Sequence, residues 1–434
     1  MQKKQKGLVW FRNDLRVHDN ASLANAVFEN DSVIAVYCFD PRHFEQTNFG
    51  FKKTEKFRAK FLIESVTALK ENLEKLNIPF FVYYGKPEDC IPEIITSNAI
   101  NSVYLQEEWT SEELKVFERT QAKVSPLIAF KASYNQFLFH PEDIPFAIES
   151  IPNVFTQFRN QCEKLTKVRP EFKVEALSKE NWSLNGTAIP TIQTLGFVDF
   201  EMDSRTAFPF HGGEDTAMQR LSHYFWETKK LSVYKLTRNG LIGADFSSKF
   251  SPWLANGCIS AKTIYWEIIK YEQEVDKNDS TYWLVFELIW RDYFKYVSIK
   301  NGNSIFKIGG ILDKKYDWKT NQSAINNWIK GTTEEPFVNA NMVELLETGW
   351  MSNRGRQNVA SYFAKNLLLD WRIGAAYFEA MLVDYDVHSN YGNWMYVSGV
   401  GNDPRDRKFN IKTQAANYDG HSKFQKLWLQ QQLF

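Results

Sequence analysis

One loop in the second half of the chain has the composition of an anion-binding segment. The stretch Tyr234–Ser260 is rich in Ser, Gly and Asn and leads into a predicted helix near Pro252. Hydroxyl and backbone N–H groups in front of a helix attract anions, because the N-terminus of a helix is positive. The side chains that suit this role are Ser247, Ser248, Ser251 and the cationic Lys249. A serine loop that only caps the helix is the alternative interpretation.

A second group of polar side chains shares one face of a predicted helix. In the segment ELIWRDYF, Glu287, Trp290, Arg291 and Phe294 follow the spacing i, i+3, i+4, i+7, which puts them on the same side. A carboxylate and a guanidinium are costly to bury without partners. The spacing therefore indicates a ligand site or a polar network, and a partly exposed face with an internal Glu–Arg pair explains it equally well.

Two further polar segments, residues 352–374 and 383–410, follow towards the C-terminus. Asp384 and Asp386 precede Asn390 and Trp394 there. The two carboxylates do not form an EF-hand-like calcium loop, because such a loop needs ligands at further fixed positions and a late Glu. No metal site is predicted for the chain.

The first part of the chain alternates strand-like and helix-like patterns. The helical stretches include Lys52–Leu76 and Ser111–Lys123, the second with Ser111 as its expected N-cap. Alternating β and α elements predict a doubly wound parallel sheet over residues 1–135, with ligands beyond the carboxyl ends of the strands. The apolar runs of strand character are Gly7–Phe11, Ser32–Phe39, Pro79–Tyr84, Ser102–Gln106 and Leu127–Lys131.

Residues 136–205 lack a sustained period and contain several prolines, so we expect a connector with short helices. From Gly213 onwards the pattern is helical, which predicts an all-helical domain over residues 206–434. The periodic stretches are Ala217–Thr228, Ala261–Tyr271, Tyr282–Ile299, Asn339–Thr348, Gln357–Leu369 and Gly374–Tyr385.

Composition excludes several classes of protein. The 434 residues carry 52 basic and 52 acidic side chains and no net charge, which excludes a histone-like polycation but not a local basic groove. The N-terminus MQKKQKGLVWF lacks an apolar segment long enough for a secretory signal, and we expect a cytoplasmic protein without membrane spans. Zinc ribbons and clustered iron–sulfur sites are excluded, because there is no CxxC pair among Cys38, Cys90, Cys162 and Cys258.

Several ordered motifs resemble the photolyase/cryptochrome family, from VWFRNDLRVHDN at Val9–Asn20 to the last predicted helices. Within it, SSKFSPWLANGCIS, PFVNANM, MSNRGRQNVAS and SNYGNW are similar to the cryptochrome-DASH branch. The resemblance implies an N-terminal antenna domain followed by a helical domain that binds FAD. It assigns the FAD contacts to Tyr234, Ser247, Ser248, Lys249, Phe250, Ser251, Arg291, Arg356, Asp384, Tyr385, Asp386 and Asn390.

The resemblance further implies a blue-light DNA photolyase that splits cyclobutane pyrimidine dimers by electron transfer from excited reduced FAD. Glu287, Trp290 and Asn353 match residues that contact the dimer. The family's electron-transfer chain to the flavin matches Trp394, Trp371 and Trp318. The expected contacts to DNA are Arg238, Gln357, Tyr396, Arg405 and Arg407, although a solvated surface role suits the three arginines equally well.

Two positions predict a preference for single strands. Tyr396 and Gln357 stand where the duplex photolyases of the family carry Trp and Met, and the change weakens the stacking that offsets extrusion of a base from a duplex.

The resemblance also implies a methenyltetrahydrofolate antenna held by Glu107, a residue that a solvated role at a strand end explains equally well. We expect a monomer. The competing class is a signalling photoreceptor, in which flavin photoreduction changes the binding of a partner or of nucleic acid. Glu287 and Trp290 favour the enzyme, and we expect no long output segment after the last predicted helix.

Overall fold

The first part of the chain folds around a five-stranded, all-parallel sheet. The computed structural model describes residues 5–403 and 405–430. The predicted domain ranges also include residues 1–4, 404 and 431–434, which lie outside the described part. The sheet has the order β3-β2-β1-β4-β5, which confirms the doubly wound α/β prediction. Its strands are β1 Lys6–Phe11, β2 Ser32–Phe39, β3 Phe80–Tyr84, β4 Ser102–Gln106 and β5 Ala129–Ser133.

Both faces of the sheet are covered, as parallel sheets require. Along β1, Val9 and Phe11 point into the larger core, which continues into the helical part of the molecule. Leu8 and Trp10 point to the opposite face and pack with Ile91 and neighbouring residues of a covering helix. This period-two alternation of two apolar faces explains the unbroken apolar run that identified the strand.

Four helices belong to this sheet, namely α1 Ala21–Glu29, α2 Lys56–Lys75, α3 Pro87–Ser97 and α4 Ser111–Ala122. The predicted N-cap of α4 was wrong by one residue. Thr110 is the extended N-cap, and Ser111 is already helical. The Thr110 hydroxyl donates to the carboxylate of Glu113, so two side chains flanking Ser111 organise the start of this helix.

The predicted connector is mostly irregular but contains one longer helix, α5 Phe155–Leu165. It also reaches the centre of the molecule. The carboxylate of Asp292 accepts hydrogen bonds from the backbone N–H groups of Leu138, at 2.9 Å, and Phe139, at 2.8 Å. Burial raises the pKa of Asp292 to about 7, and these two N–H groups oppose the rise. The connector is thus fixed to the long helix that contains Asp292.

The rest of the chain is helical, and two π-helical turns, His223–Glu227 and Tyr362–Asn366, extend helices that the sequence predicted as regular. Predicted helix Gln357–Leu369 begins earlier, at Asn353, and predicted helix Gly374–Tyr385 ends earlier, at Met381. The helices are α6 Glu214–Ser222, α7 Tyr234–Thr237, α8 Ser251–Ala255, α9 Ala261–Glu274, α10 Asp279–Asn301, α11 Gln322–Lys330, α12 Pro336–Thr348, α13 Asn353–Ser361, α14 Trp371–Met381, α15 Val387–Ser398, α16 Ile411–Tyr418 and α17 Lys423–Leu429.

The sheet and the helical region share buried polar contacts. Arg16 donates to the carbonyl of Gly257 at 2.8 Å, and Glu214 accepts from the backbone N–H of Val17 at 2.9 Å. Gly257 has φ +70°, and a Cβ there would lie 2.1 Å from the carbonyl oxygen of Asn13, so this close approach requires glycine. Among the described residues, no helix is long and apolar enough to cross a bilayer.

Candidate functional site

Two adjoining cavities lie between α10, α13 and α15. The inner cavity has a volume of about 90 Å³ and the outer one about 410 Å³. Both are lined by Asn353, Gln357, Ser389, Asn393 and Val397. A ligand in the inner cavity is therefore in reach of a second ligand in the outer one.

The inner cavity is lined by most of the residues predicted to bind the flavin ring. Because α14 ends at Met381, Asp384 lies in the turn before α15 rather than on a helix. Arg356 Nη2 lies 2.9 Å from Asp384 Oδ2. The buried Oδ1 of Asp384 and Nε1 of Trp394 have no hydrogen-bond partner among the described residues. An unpaired acceptor and an unpaired donor beside one cavity suit a polar ligand that has both kinds of group. The other predicted flavin contacts that line this cavity are Tyr385, Asp386 and Asn390.

Asp386 is the N-cap of α15 and accepts from the N–H of Ser389 at 2.8 Å. Its other carboxylate oxygen lies 2.9 Å from Nζ of Lys295, which is almost fully buried. Burial alone would raise the pKa of Asp386, but Lys295 and its neighbours outweigh burial and hold that pKa far below its usual range. Asp386 therefore presents a permanent negative charge at the floor of the inner cavity.

The wall of the outer cavity is aromatic. Trp290 stacks on Phe155 of α5 with the ring centroids 3.6 Å apart and the planes at 12°. Tyr396 packs edge-on against Trp290 at 6.2 Å, and Phe294 lies 5.5 Å away. Because Phe155 covers one face of the indole, Trp290 is held firmly against the cavity it lines.

The predicted dimer contact Glu287 is paired at the rim of the same cavity. Its carboxylate accepts a hydrogen bond from Arg238, another lining residue. Burial raises the pKa of Glu287, and the charge of Arg238 opposes this. The alternative of an internal pair with Arg291 is wrong, because the Arg291 guanidinium donates to the carbonyls of Gln136, at 2.6 Å, and Leu254, at 3.0 Å.

Arg354 is a lining residue that the sequence interpretation missed, although it belongs to the quoted motif SNRGR. It donates to the side-chain oxygen of Gln357 at 3.0 Å and lies 4.4 Å from the ring of Tyr418. Arg407 also lines the outer cavity and pairs with Asp403 at 3.1 Å. The described lining of the outer cavity has four arginines but only two carboxylates, Glu287 and Asp403, which gives this electrically neutral chain a local cationic surface.

The serine loop lies beside α6, and Arg220 of this helix hydrogen-bonds to the backbone of the loop. Arg220 donates to the carbonyls of Ala244, Ser247 and Ser248, each at 3.1 Å, and to the carboxylate of Asp245 at 2.7 Å. The helix expected near Pro252 is only five residues long, so its dipole is weak and the loop's own N–H groups must carry most of any anion binding. No sequence pattern singles out Arg220, because its backbone partners lie 24 to 28 residues further along the chain.

Lys249 sits within this loop in a left-handed backbone conformation, with φ +63°. Its ammonium is buried and lies 4.5 Å from the ring of Trp350. Burial lowers the pKa of Lys249 to about 8, and Glu344 opposes the change. Lys249 forms no salt bridge with any described residue, and a buried cation of this kind is consistent with an anionic ligand at this loop.

Two of the three predicted electron-transfer tryptophans, Trp371 and Trp394, lie on the packed helices α14 and α15. Trp394 lines the inner cavity, and a Cβ at Gly374 would lie 2.2 Å from the Trp394 ring. Gly374 is one turn along α14 from Trp371, which is fully buried. Trp318 is half-buried, and its segment meets the chain just before α14, where the N–H of Lys319 donates to the carbonyl of Leu368 at 2.7 Å.

A third cavity, the cleft cavity, lies between the carboxyl edge of the sheet and the helical region and has a volume of about 410 Å³. Asp386 and Tyr385 line both this cavity and the inner one. Glu108 lines the cleft cavity, whereas Glu107, which the sequence interpretation placed at the antenna, is not among the lining residues described. Burial raises the pKa of Glu108 to about 7. The geometry favours Glu108 over Glu107 as the carboxyl group facing a cleft ligand.

Other predicted residues lie outside the linings of these three cavities. They comprise the serine loop with Tyr234, two of the tryptophans, one acid and one arginine, namely Tyr234, Ser247, Ser248, Lys249, Phe250, Ser251, Trp318, Trp371, Glu107 and Arg405. Tyr234 lies one helical turn from Arg238 at the start of α7, so it borders the rim of the outer cavity.

Comparison with known proteins agrees with this architecture. The DNA photolyase family profile matches residues 7–176, and the profile named FAD binding domain of DNA photolyase matches residues 283–432. The chain is 47% identical to cryptochrome DASH of Gloeobacter violaceus over 97% of this chain and 85% of that protein.

Solved structures give the same result. The crystal structure of Synechocystis cryptochrome superimposes with a TM-score of 0.93 and 46% identity, over 99% of this chain and 89% of the other. An archaeal photolyase from Sulfolobus tokodaii, described with two FAD molecules and a novel light-harvesting cofactor, has a TM-score of 0.79 and 27% identity over 98% of this chain and 90% of that one. The chain therefore belongs to the photolyase/cryptochrome family, in its cryptochrome-DASH branch, and carries an FAD-binding domain of the DNA photolyase type.

Proposed function

We propose that this protein is a blue-light, FAD-dependent photolyase that repairs cyclobutane pyrimidine dimers, preferentially in single-stranded DNA. The observation that carries the proposal is the adjacency of the inner and outer cavities. The flavin-type contacts Asp384 and Asn390 line one cavity, and the dimer-type contacts Glu287 and Trp290 line the other. Bound reduced FAD supplies one electron to the dimer when blue light excites it.

The polar groups that line the inner cavity suit one edge of the ring system of FAD. The unpaired Oδ1 of Asp384 and the Asp384–Arg356 pair suit a ring edge that carries both N–H and C=O groups. Asn390 donates one side-chain N–H to the carbonyl of Ala375 at 2.9 Å, and its second N–H and its carbonyl oxygen are available to a ring nitrogen. The serine loop at Ser247–Ser251 is the proposed contact for the FAD phosphates.

The outer cavity fits an extruded pyrimidine dimer. The exposed face of Trp290 offers a stacking surface, worth about 1–3 kcal/mol per base. Glu287 and Asn353 supply hydrogen-bonding groups for the polar edges of the bases. Arg238 must then exchange Glu287 for the substrate or its phosphates. The carboxyl group of Glu287, whose pKa burial raises, is then available to the bases.

The preference for single strands is proposed from the wall around Tyr396 and Gln357. Tyr396 meets Trp290 edge-on, so it adds less stacking surface than a second indole would. Gln357 is engaged by Arg354, which makes that side of the cavity polar. Extruding a base from a duplex costs a few kcal/mol, and this wall offsets less of that cost. A single strand needs no unpairing.

The cleft cavity is the proposed site of a methenyltetrahydrofolate antenna, with Glu108 rather than Glu107 facing the pterin. An absorption spectrum of the purified protein tests this, because bound folate adds a near-ultraviolet band to those of flavin. Reconstitution of the Glu108→Gln variant should yield less bound folate than reconstitution of Glu107→Gln. Equal folate occupancy in the two variants would contradict the assignment. The cytoplasmic location and the monomeric state stay predictions.

The experiment for the proposed function is light-dependent repair of a defined thymine dimer. The fully reduced holoprotein is illuminated with dimer-containing single-stranded and duplex oligonucleotides at one fixed salt concentration, since phosphate contacts make affinity salt-dependent. We expect repair in both and a higher efficiency in single strands. Absence of repair in both substrates, with reduced flavin confirmed by its spectrum, would overturn the enzyme and favour the signalling photoreceptor.

A further inference from the structure

We propose that Tyr391 is a second terminal electron donor, which branches from Trp371 into the cleft cavity. This inference rests on the proposed Trp394–Trp371–Trp318 chain and deepens it. Trp371 is fully buried, and the ring of Tyr391 packs edge-on against it, with centroids 6.1 Å apart and planes at 77°. Tyr391 also lines the cleft cavity, so an electron vacancy on Trp371 has a route into this cavity as well as towards Trp318.

The contacts of Trp371 favour onward transfer of the vacancy. Its Nε1–H donates to the backbone carbonyl of Ile308 at 3.0 Å. A backbone carbonyl accepts a hydrogen bond but does not take up the proton at ordinary pH. The oxidised indole of Trp371 therefore stays a radical cation, which is a stronger oxidant than the neutral radical that deprotonation would leave.

Oxidation of a phenol releases a proton, and the cleft cavity that Tyr391 lines contains carboxyl groups able to take it up. The carboxylates of Glu379 and Glu112 line the same cavity. Burial raises the pKa of Tyr391, and these two carboxylates raise it further. One electron passes from Tyr391 to the Trp371 radical cation and restores the neutral indole. The phenolic proton passes to a carboxylate in the cleft cavity, whose lining includes Glu112 and Glu379, and Tyr391 is left as a neutral phenoxyl radical. Charge and atoms balance without any external reagent.

The other wall of the Tyr391 ring is apolar. Phe306 packs edge-on against it at 4.7 Å, which fixes the ring between Phe306 and Trp371. Trp318 has a comparable neighbour on the surface branch, because Tyr316 lies 5.2 Å from it. Tyr316 provides a matched control for Tyr391, because the proposed surface branch ends at Trp318 and a tyrosyl radical formed beside Trp318 would be lost in Tyr316→Phe.

The experiment is electron paramagnetic resonance and transient absorption after a blue-light flash on the oxidised, FAD-loaded protein. The variants are Tyr391→Phe, Tyr316→Phe and Trp318→Phe, each checked for FAD content and circular dichroism. We expect a tyrosyl signal in the unsubstituted protein and in Tyr316→Phe, and its loss in Tyr391→Phe. In Trp318→Phe the tyrosyl yield should rise, because the cleft branch becomes the main outlet.

A tyrosyl signal that persists in Tyr391→Phe, or that is lost only in Tyr316→Phe, would overturn the branch. So would photoreduction of the unsubstituted protein without any tyrosyl signal. Failure of the proposed function looks different, because repair by chemically reduced protein uses neither branch. A protein that forms the Tyr391 radical but repairs no dimer would keep the inference and lose the enzymatic proposal.

Discussion

Replacing Arg220 by Met should weaken FAD binding, although Arg220 is not among the residues described as lining the three cavities. The side chain is almost fully buried and holds three backbone carbonyls of the serine loop, at Ala244, Ser247 and Ser248. Counting each bond at about 1 kcal/mol net gives about 3 kcal/mol for the ordered loop. If FAD binding must order the loop in the variant, this energy corresponds to about a hundredfold rise in Kd.

The assay is titration of apoprotein with FAD, followed by quenching of flavin fluorescence, with urea unfolding of the apoprotein measured in parallel. Arg205→Met is the matched control, because Arg205 pairs with Asp203 and lies 4.2 Å from the ring of Trp428, away from the loop. We expect the control to keep the Kd for FAD. A Kd for Arg220→Met within about threefold of the unsubstituted protein, despite a loss of stability, would refute the proposed role of the loop.

Three further predictions concern the cavities. Tyr396→Trp combined with Gln357→Met should tighten binding of duplex dimer by roughly 1–2 kcal/mol and change single-strand binding much less; equal changes at fixed salt would show that these side chains do not set strand preference. Trp394→Phe should block photoreduction of oxidised FAD, measured by absorption, while chemically reduced variant still repairs; photoreduction at the native rate would exclude the assigned chain. Burial raises the pKa of Glu108 from 4.5 to about 7, so the free energy of unfolding should fall as pH rises from about 4.5 to about 7 and Glu108 ionises. Urea unfolding across this range should show a weaker fall in Glu108→Gln, and an unchanged pH profile would contradict the shift.

The sheet was the part of the fold most accessible to prediction. Its central strands are apolar on both faces, so the run Ser32–Phe39 alone marks β2 with its observed ends. The edge strand β5 was displaced by two residues, because most of its side chains are at least partly exposed and leave no unbroken apolar run. The end of α14 was missed for a similar reason, since Leu382 and Val383 remain buried after the helix has stopped.

The candidate site was predictable where its residues share one motif or one helix face. The spacing of Glu287, Trp290 and Arg291 placed all three beside the outer cavity. Their partners were not predictable, because Arg238 and Phe155 come from distant segments and meet α10 only through tertiary packing.

Glu107 and Glu108 show a limit of a different kind. Adjacent residues in an extended segment point to opposite sides, and the sequence does not tell which of two neighbouring acids faces the cleft.

The central claim is that an excited flavin in the inner cavity passes an electron directly to a dimer in the outer cavity. The most direct test is the fluorescence lifetime of the fully reduced holoprotein, measured with single-stranded DNA that does or does not contain one thymine dimer, at concentrations where both strands are bound. The account predicts a shortened lifetime with the dimer strand only, and recovery of the longer lifetime once continued illumination has repaired the dimer. A lifetime that stays unchanged while the dimer strand is bound would contradict it.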